Sequence, residues 1–280
     1  MNLPTNVGVY GGGRMGAGIA HAFLVAGASV TVIEADAEAV AAAEQRVQSS
    51  LRKAAERGTL SRPVDEVARR LTVGTDPAGL ADCGLVVEAV PEIVDLKAAV
   101  LQRIEAAAAD AVVATNTSSL SVDGLAARLD RPHSFLGLHF FNPVPASGLV
   151  EIVVGAKTGQ QVVTDAQRWV EALDKTAITV TDAPGFASSR LGVALALEAM
   201  RMLEAGVASA SDIDTAMTLG YKHPAGPLRT TDIVGLDVRL AIAEHLAREL
   251  GPRFEPPAVL REKVAAGHLG RKTGQGFYTW

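Results

Sequence analysis

Cysteine and long apolar runs are scarce in this sequence. Cys83 is the single cysteine among 280 residues, so no disulfide can form within the chain, and we expect a reducing compartment. No apolar run approaches the roughly 20 residues that cross a bilayer, and the first residues lack the basic and apolar parts of a signal peptide. These absences predict a soluble, cytoplasmic protein without a membrane partner, in which Cys83 is a small core residue.

Basic residues are not in excess, and the histidines do not cluster. The 26 Lys and Arg against 31 Asp and Glu give a formal net charge of -5, which argues against a nucleic-acid partner. The six histidines are dispersed and suggest no zinc site. With 48% hydrophobic residues, the composition is that of a globular protein of one or two domains.

Strand-like and helix-like segments alternate along the first 180 residues. The predicted strands are Val7–Tyr10, Ser29–Glu34, Leu85–Glu88, Ala111–Thr115, Ser134–Phe140, Leu149–Val154 and Thr176–Val180. The predicted helices between them are Met15–Ala26, Ala37–Arg57, Leu96–Ala109 and Gln160–Leu173. This alternation predicts an α/β fold of the Rossmann type, with a doubly wound, mostly parallel sheet covered on both faces.

The pattern becomes helical after the Pro184-Gly185 pair. The predicted helices there are Ser188–Gly206, a helix capped by Ser209 that reaches about Leu219, Pro227–Val234 and Asp237–Leu250. We therefore predict a first domain over residues 1–182 and an all-helical C-terminal domain over residues 183–280.

A glycine-rich turn joins the first predicted strand to the first helix. The run GGGRMG contains G-x-G-x-x-G, in which Gly11 permits a tight turn, Gly13 a close approach of a pyrophosphate, and Gly16 close packing of helix on strand. Arg14 and Met15 open the helix, whose N-terminal N–H groups suit phosphates. The turn predicts a dinucleotide site, and a purely structural turn is the alternative.

A carboxylate ends the second predicted strand. Glu34 follows Gly16 by 18 residues, where it can accept hydrogen bonds from the ribose hydroxyls of a dinucleotide. Its charge would repel a 2′-phosphate, so the cofactor predicted is NAD and not NADP. Asp36 is the competing candidate, because the end of a predicted strand is uncertain by a residue or two.

Two apolar segments carry one titratable residue each. His139 lies in GLHFFNPVP and Glu151, twelve residues later, lies in LVEIV. The residue types alone favour a buried, hydrogen-bonded histidine over a catalytic one.

Four stretches together resemble one family. They are GGGRMGAGIA from Gly11, ATNTSSL from Ala114, GLHFFNPVP from Gly137 with the LVEIV that follows, and DAPGF from Asp182. The chain resembles the L-3-hydroxyacyl-CoA dehydrogenases, especially short bacterial ones of the 3-hydroxybutyryl-CoA type, from about Val7 to Trp280.

The resemblance implies catalytic roles for particular residues. His139 would be the general base and acid, and Glu151 would hold its tautomer and stabilise the imidazolium. Ser118 and Asn142 match family residues near the substrate and the nicotinamide. The alternatives are a turn or cap serine at 118 and a turn-former before Pro143.

The resemblance also implies binding residues. Glu92, Lys97 and Lys272 match contacts of NAD, whereas Ser50 and Arg57 match contacts of coenzyme A. The alternatives are a solvated first helical turn for Glu92 and Lys97, a basic C-terminal loop for Lys272, and a basic, solvated helix end for Ser50 and Arg57.

Two positions depart from the family pattern. Ser189 stands where an asparagine often approaches the catalytic site, and the small residues Ala146-Ser147-Gly148 stand where a Met-Lys pair is frequent. We expect the fold and the catalytic pair to survive and the preference for acyl-chain length to change.

The implied function is NAD-dependent interconversion of an L-3-hydroxyacyl-CoA and a 3-oxoacyl-CoA. Its pathway stays open between fatty-acid breakdown such as β-oxidation, butyrate or polyhydroxybutyrate metabolism, and the degradation of aromatic compounds. The resemblance also implies a homodimer formed through the C-terminal domain, which would contribute to the substrate cleft. Two other functions stay open: a dehydrogenase of the same fold acting on a sugar acid such as L-gulonate, and a non-catalytic, crystallin-like NAD-binding protein.

Overall fold

The computed structural model describes residues 3–280, which form two compact units. The first unit ends at Asp182, and the second runs from Ala183 to Trp280.

One sheet of eight strands forms the centre of the first unit as far as it is described. The strands are β1 (Asn6–Tyr10), β2 (Ser29–Ile33), β3 (Leu71–Gly74), β4 (Leu85–Glu88), β5 (Val112–Thr115), β6 (Phe135–Phe140), β7 (Leu149–Val154) and β8 (Thr176–Thr181). Their order in the sheet is β3-β2-β1-β4-β5-β6-β7-β8.

Helices connect these strands. They are α1 (Arg14–Val25), α2 (Ala37–Glu56), α3 (Val64–Ala68), α4 (Val94–Ala107), α5 (Val122–Ala126) and α6 (Gln160–Ala172), with short 3-10 turns at Pro77–Leu80 and Pro132–Ser134. Strand β4 is buried along its whole length, as expected for a strand covered by helices on both faces. The predicted Rossmann-type fold is confirmed.

Strand direction places the ends of six strands together. β1 to β6 run parallel to one another, whereas β7 pairs antiparallel with β6, and β8 runs parallel to β7. The order reverses at β1, which lies between β2 and β4, and this reversal opens a crevice at the carboxyl ends of the strands. The loops that follow β1, β4 and β5 meet at this edge.

The sequence pattern missed several short elements of both units. Strand β3 and helices α3 and α5 have four or five residues each, too few for a hydrophobic period to emerge. Other predicted boundaries differ by a few residues at most, and Leu85–Glu88 and Leu149–Val154 agree with β4 and β7. Cys83 is buried, as expected, and burial together with neighbouring Asp82 raises the pKa of its thiol to about 11.

The second unit is helical. It contains α7 (Ser188–Glu204), α8 (Ala210–Thr215), α9 (Pro227–Val234), α10 (Leu236–Leu250) and α11 (Ala258–Ala265), with short 3-10 turns at Pro252–Phe254 and Arg271–Thr273. The helix capped by Ser209 ends at Thr215 and continues as a π turn to Gly220, and α11 was not predicted.

The core of the second unit follows helical spacing. Val193, Leu197 and Met200 recur on one face of α7, and each is at most 1% exposed. They belong to the same apolar cluster as Leu236 and Leu246 of α10. The all-helical character predicted for this region is confirmed.

Two buried aspartates tie the end of the chain to this unit. Asp232 accepts hydrogen bonds from the backbone N–H of Phe277 at 2.8 Å and of Tyr278 at 2.9 Å, and from Nε1 of Trp280 at 2.9 Å. Asp214 accepts from the Tyr278 hydroxyl at 2.7 Å. A buried carboxylate with several donors is stable because each bond to the charge compensates part of its lost hydration.

Replacing Asp232 with Asn should therefore destabilise the second unit. The amide keeps the size of the carboxylate but removes the charge, and its NH2 group faces donors, so we expect a loss of about 2–4 kcal/mol in the free energy of unfolding. Urea unfolding measures the change. Glu249→Gln, an exposed carboxylate of α10, is the matched control and should change stability by less than about 0.5 kcal/mol; equal effects of the two variants would contradict the role of Asp232.

Candidate active site

The glycine turn after β1 has the geometry that a phosphate cradle requires. Gly11 has a φ of 95°, which favours glycine, and a Cβ at Gly16 would collide with the carbonyl oxygen of Gly11. A Cβ at Gly13 would meet nothing within 4 Å among the described residues, so a ligand can approach the backbone there. Arg14 and Met15 form the first turn of α1, with Arg14 exposed and Met15 packed partly against the core.

The structure separates the two carboxylates proposed for the ribose. Glu34 lies just beyond the end of β2, and its Oε1 accepts a hydrogen bond of 2.6 Å from the backbone N–H of Gly12. Asp36 instead caps α2, where it accepts from the N–H of Ala39 at 2.8 Å. Glu34 is thus the carboxylate that reaches the glycine turn.

A buried ion pair lies at the carboxyl end of β4. Nζ of Lys97, which is 0% exposed, is 2.7 Å from Oε1 of Glu88, the last residue of that strand. Glu88 also accepts from the Thr115 hydroxyl at 2.6 Å and from the N–H of Val90 at 2.7 Å. The alternative that Lys97 belongs to a solvated helical turn is wrong, because α4 packs this side chain into the interior of the unit.

Glu92 connects the loop after β4 to the loop after β5. Its Oε1 accepts from the Thr117 hydroxyl at 2.6 Å and from the backbone N–H groups of Ser118 at 2.9 Å and Ser119 at 3.1 Å, and its Oε2 is 3.4 Å from Nζ of Lys97. Burial alone would raise the pKa of Glu92, but Lys97 and these hydrogen bonds outweigh it and hold the pKa below its usual value.

Ser121, and not Ser118, caps the helix that follows the loop after β5. The hydroxyl of Ser121 caps α5 by accepting from the N–H of Gly124 at 2.9 Å. The Ser118 hydroxyl donates to Glu92 at 3.3 Å. The cap role is therefore taken by Ser121, and Ser118 remains at the rim of the crevice.

His139 and Glu151 lie directly opposite each other in the antiparallel pair of β6 and β7. Opposite residues project to the same face of a sheet, and Nδ1 of His139 is 2.7 Å from Oε2 of Glu151. Both side chains are buried, at 7% and 0% exposure. The His139 ring also contacts the ring of Phe141, with centroids 4.4 Å apart.

Asn116 holds the end of β6 next to His139. Its side-chain oxygen accepts from the N–H of Phe140 at 2.9 Å, which connects the loop after β5 to this strand. Asn142 lies beyond the strand, exposed, and its peptide bond to Pro143 is cis.

A cavity of about 1090 Å³ opens beside α1 and α2 in the first unit. Its lining includes Ser50 and Arg57, the two positions proposed for coenzyme A. The basic residues in this lining are Arg14, Arg46, Lys53, Arg57 and Lys175, together with His21. Asn142 also borders the cavity, so the loop after β6 forms part of its wall.

Ser50 has a specific partner in this wall. Its hydroxyl is 3.0 Å from Nδ1 of His21, a side chain that is 5% exposed. Burial and the charge of Lys175 lower the pKa of His21 to about 4. Lys175 itself donates to the carbonyl of Val144 at 2.8 Å and so holds the loop after β6.

Two proposed site residues belong to the second unit. Ser189 lies in the first turn of α7. Lys272 forms an ion pair with Asp237, at 2.6 Å from Oδ1. That pair supports an ordered position for Lys272, although the two side chains are about two-fifths exposed.

Sequence reasoning missed four polar residues that build the site. They are Glu88, Asn116, His21 and Lys175. A carboxylate at the end of the apolar run LVVE was a readable signal for Glu88, since a charge at the end of a buried strand needs a partner. The other three residues make hydrogen bonds to residues that are distant in the sequence, and no local sequence pattern predicts these bonds.

The sequence matches two family profiles that together cover nearly all of the chain. Residues 6–183 match the NAD binding domain of 3-hydroxyacyl-CoA dehydrogenase, and residues 185–280 match the C-terminal domain of 3-hydroxyacyl-CoA dehydrogenase. The chain belongs to the 3-hydroxyacyl-CoA dehydrogenase family. It is thus an NAD-dependent oxidoreductase, as the resemblance implied.

Relatives of this dehydrogenase match over the whole chain. A 3-hydroxybutyryl-CoA dehydrogenase of Mycobacterium tuberculosis is 40% identical over 279 residues, which cover 98% of both chains. A probable 3-hydroxybutyryl-CoA dehydrogenase of Deinococcus radiodurans is 38% identical and covers 98% of this chain and 99% of its own. The crystal structure of (S)-3-hydroxybutyryl-CoA dehydrogenase from Ralstonia eutropha superposes with a TM-score of 0.94 at 38% identity, over 99% of both chains.

Two features are absent from residues 3–280 of this dehydrogenase. None of the helices in that range is long and apolar enough to cross a membrane. Within the same range, His, Cys, Asp and Glu do not gather into a group of three or more that could hold a metal ion.

Removal of the Glu88 charge should leave the Lys97 ammonium buried beside fewer carboxylates. We expect Glu88→Gln to cost about 3–5 kcal/mol of stability and to weaken NAD binding, because the loops of the crevice are joined through this pair. Urea unfolding and fluorescence titration with NADH measure the two effects.

Two further variants make this test specific. Asp95→Asn, in the helix α4 that also carries Lys97, breaks an exposed ion pair with Arg128 and should cost less than about 1 kcal/mol of stability. The double variant Glu88→Gln with Lys97→Met should recover stability but not NADH affinity. If the double variant is no more stable than Glu88→Gln, the buried charge is not the cause.

The lowered pKa of His21 predicts a pH dependence of stability. The unfolded chain protonates His21 near its ordinary pKa of 6.5, whereas the folded chain resists protonation until about pH 4. The unfolded state therefore binds more protons in this window, and the free energy of unfolding falls as pH decreases. Between pH 7 and pH 5 this one group should remove about 2 kcal/mol.

His21→Asn keeps a polar group beside Ser50 and abolishes the titration. The unfolding free energy of the wild type minus that of the variant, measured in urea, should be about 2 kcal/mol smaller at pH 5 than at pH 7. A difference that stays constant with pH would show that His21 is not the responsible group.

Proposed function

We propose that this enzyme interconverts a short-chain L-3-hydroxyacyl-CoA, such as 3-hydroxybutyryl-CoA, and the corresponding 3-oxoacyl-CoA, with His139 as general base and acid. The observation that carries the proposal is the distance of 2.7 Å between Nδ1 of His139 and Oε2 of Glu151 at the edge of the cofactor crevice. The names of the relatives support the short acyl chain.

The pair suits proton transfer. A carboxylate only accepts hydrogen bonds, so the neutral imidazole donates from Nδ1 to Glu151 and keeps its basic lone pair on Nε2. In oxidation, Nε2 takes the hydroxyl proton from the substrate, and Glu151 stabilises the imidazolium that results. NAD, held by the glycine turn after β1, would supply the acceptor for the hydride that leaves C3. In reduction, the imidazolium returns its proton to the carbonyl oxygen.

The cofactor fits the residues around the crevice. The backbone at Gly11, Gly13 and Gly16 leaves room for a pyrophosphate, and the N-terminus of α1, with Arg14 and Met15 in its first turn, attracts it. Glu34 supports ribose recognition and a preference for NAD over NADP. Glu92, Lys97, Ser118 and Asn142 would surround the nicotinamide end, and Lys272 is a further cofactor residue.

The basic cavity suits coenzyme A. Lys53 in the last turn of α2 and Arg57, the residue that follows this helix, are exposed at the edge of the cavity, where they can reach phosphates, while Ser50 lies deeper against His21. A sugar acid such as L-gulonate carries one carboxylate and has no need of so many cations. The cavity therefore favours the acyl-CoA over the sugar acid.

The second unit would contribute to the substrate cleft and form a homodimer. Ser189 would help to position the substrate. Exposed apolar side chains support a protein interface, among them Leu191 at 71%, Leu219 at 68% and Tyr221 at 75% exposure. We also propose that the enzyme is cytoplasmic and that it has a role in fatty-acid metabolism such as β-oxidation.

His139→Ala should reduce kcat by at least about 100-fold, because general acid–base catalysis contributes roughly that much or more. The assay is NADH oxidation with acetoacetyl-CoA, beside NAD reduction with L-gulonate. The dissociation constant of NADH, measured by fluorescence, should change less than about threefold.

The matched control is His133→Ala, which removes a histidine outside the cavity lining from the same unit. It should leave kcat nearly unchanged. Near-normal turnover in His139→Ala would overturn the mechanism. Absence of turnover by the wild type with both substrates, despite NADH binding, would favour a non-catalytic role.

A further inference from the structure

The middle glycine of the turn after β1 is held from two sides. The backbone N–H of Gly12 donates to Oε1 of Glu34 at 2.6 Å, and its carbonyl oxygen accepts a hydrogen bond of 3.3 Å from Nη1 of Arg46 in α2. A Cβ on Gly12 would lie 2.4 Å from the Cβ of Ala43, so α2 packs directly against this glycine. A carboxylate and a guanidinium therefore contact the same residue of the phosphate cradle.

Arg46 has donors to spare at this place. Ala43 and Arg46 are three residues apart and share one face of α2, the face that meets the glycine turn. Arg46 is exposed, and none of the ion pairs within residues 3–280 includes it. A guanidinium carries five N–H donors, and the bond to Gly12 uses one of them. The others are available to a ligand of the turn.

The charges around Gly12 bear on which dinucleotide can bind. Oε1 of Glu34 is used by the turn, whereas its Oε2 accepts no hydrogen bond from the described residues and is free for ribose hydroxyls. A 2′-phosphate replaces one of these hydroxyls with a negatively charged group, which the carboxylate repels. Without that carboxylate, the charged side chains at the turn would be the cations Arg46 and Arg14, which line the same cavity.

We propose that Arg46 is a specificity residue of the cofactor site: its guanidinium completes a site for a 2′-phosphate, and the carboxylate of Glu34 alone keeps NADP out of it. Arginine suits a phosphate because its planar fork of N–H groups pairs with two oxygens at once. In dinucleotide-binding folds, an arginine near the acidic position after the second strand accommodates the 2′-phosphate. The inference rests on the proposed function, in which Glu34 recognises the ribose of NAD.

The test measures the dissociation constants of NADH and NADPH by fluorescence titration of the whole chain. Glu34→Ser should lower the dissociation constant of NADPH at least about tenfold, because charge-assisted hydrogen bonds from Arg46 replace the repulsion. Arg46→Met, added to Glu34→Ser, should raise the dissociation constant of NADPH again by about tenfold, whereas that of NADH should change less than about threefold. This difference between the two dinucleotides isolates the 2′-phosphate.

Three variants control for the position of the charge and for folding. Arg52→Met, added to Glu34→Ser, removes an exposed arginine of the same helix outside the cavity lining and should leave NADPH affinity unchanged. Arg46→Lys keeps a cation without the planar fork and should retain part of the gain. Glu34→Gln keeps an oxygen for the N–H of Gly12 without the charge, so it decides the test if thermal unfolding shows Glu34→Ser to be unstable. Its NADPH affinity should also rise and should also depend on Arg46.

The outcomes separate this inference from the proposed function. Unchanged NADPH affinity in both Glu34 variants, or a gain that does not depend on Arg46, overturns the phosphate site, while reduction of acetoacetyl-CoA by the wild type with NADH keeps the proposed function standing. If Arg46→Met raises the KM of acetoacetyl-CoA but leaves the NADPH affinity of Glu34→Ser unaltered, the guanidinium serves coenzyme A and the inference is wrong. Absence of wild-type turnover beside the expected NADPH affinities would overturn the proposed reaction and leave the phosphate site standing.

Discussion

The antiparallel pairing of β6 with β7 is the constraint on which the candidate catalytic pair depends. It sets His139 opposite Glu151 and turns both side chains to one face of the sheet. Because side chains alternate along a strand, a slip of one residue in either strand would send one of the two groups to the opposite face. The hydrogen bond from the N–H of Phe140 to the side-chain oxygen of Asn116 holds the end of β6 next to this pair. The pairing register of the two strands, and not the residue types alone, brings the imidazole and the carboxylate together.

Buried charge serves a different purpose at the neighbouring strand ends. Glu88, Lys97 and Glu92 join the loops after β4 and β5 through short hydrogen bonds. An incomplete network of this kind would be expensive, so each member constrains the positions of the others. The crevice is thereby ordered before a cofactor arrives, which reduces the entropy that binding must overcome.

The cations of the two units differ in how they are compensated. Those around the cavity of the first unit lie near solvent, where an unpaired charge costs little and can attract an anionic ligand. Arg239 in the second unit is buried, and among the described residues its Nε makes no hydrogen bond.

The sequence by itself determined the fold class, the glycine turn, the all-helical second unit and most strand boundaries, because these follow from local periodicity and from what glycine alone can adopt. It also named His139 and Glu151, through motif resemblance. Three of the elements it missed, β3, α3 and α5, are too short to repeat a period. Tertiary structure alone decided the direction of β7, the approach of Glu34 rather than Asp36 to the glycine turn, and the partners of Lys97. These features depend on contacts between residues that are far apart in the sequence. The local alternation of polar and apolar residues does not predict such contacts.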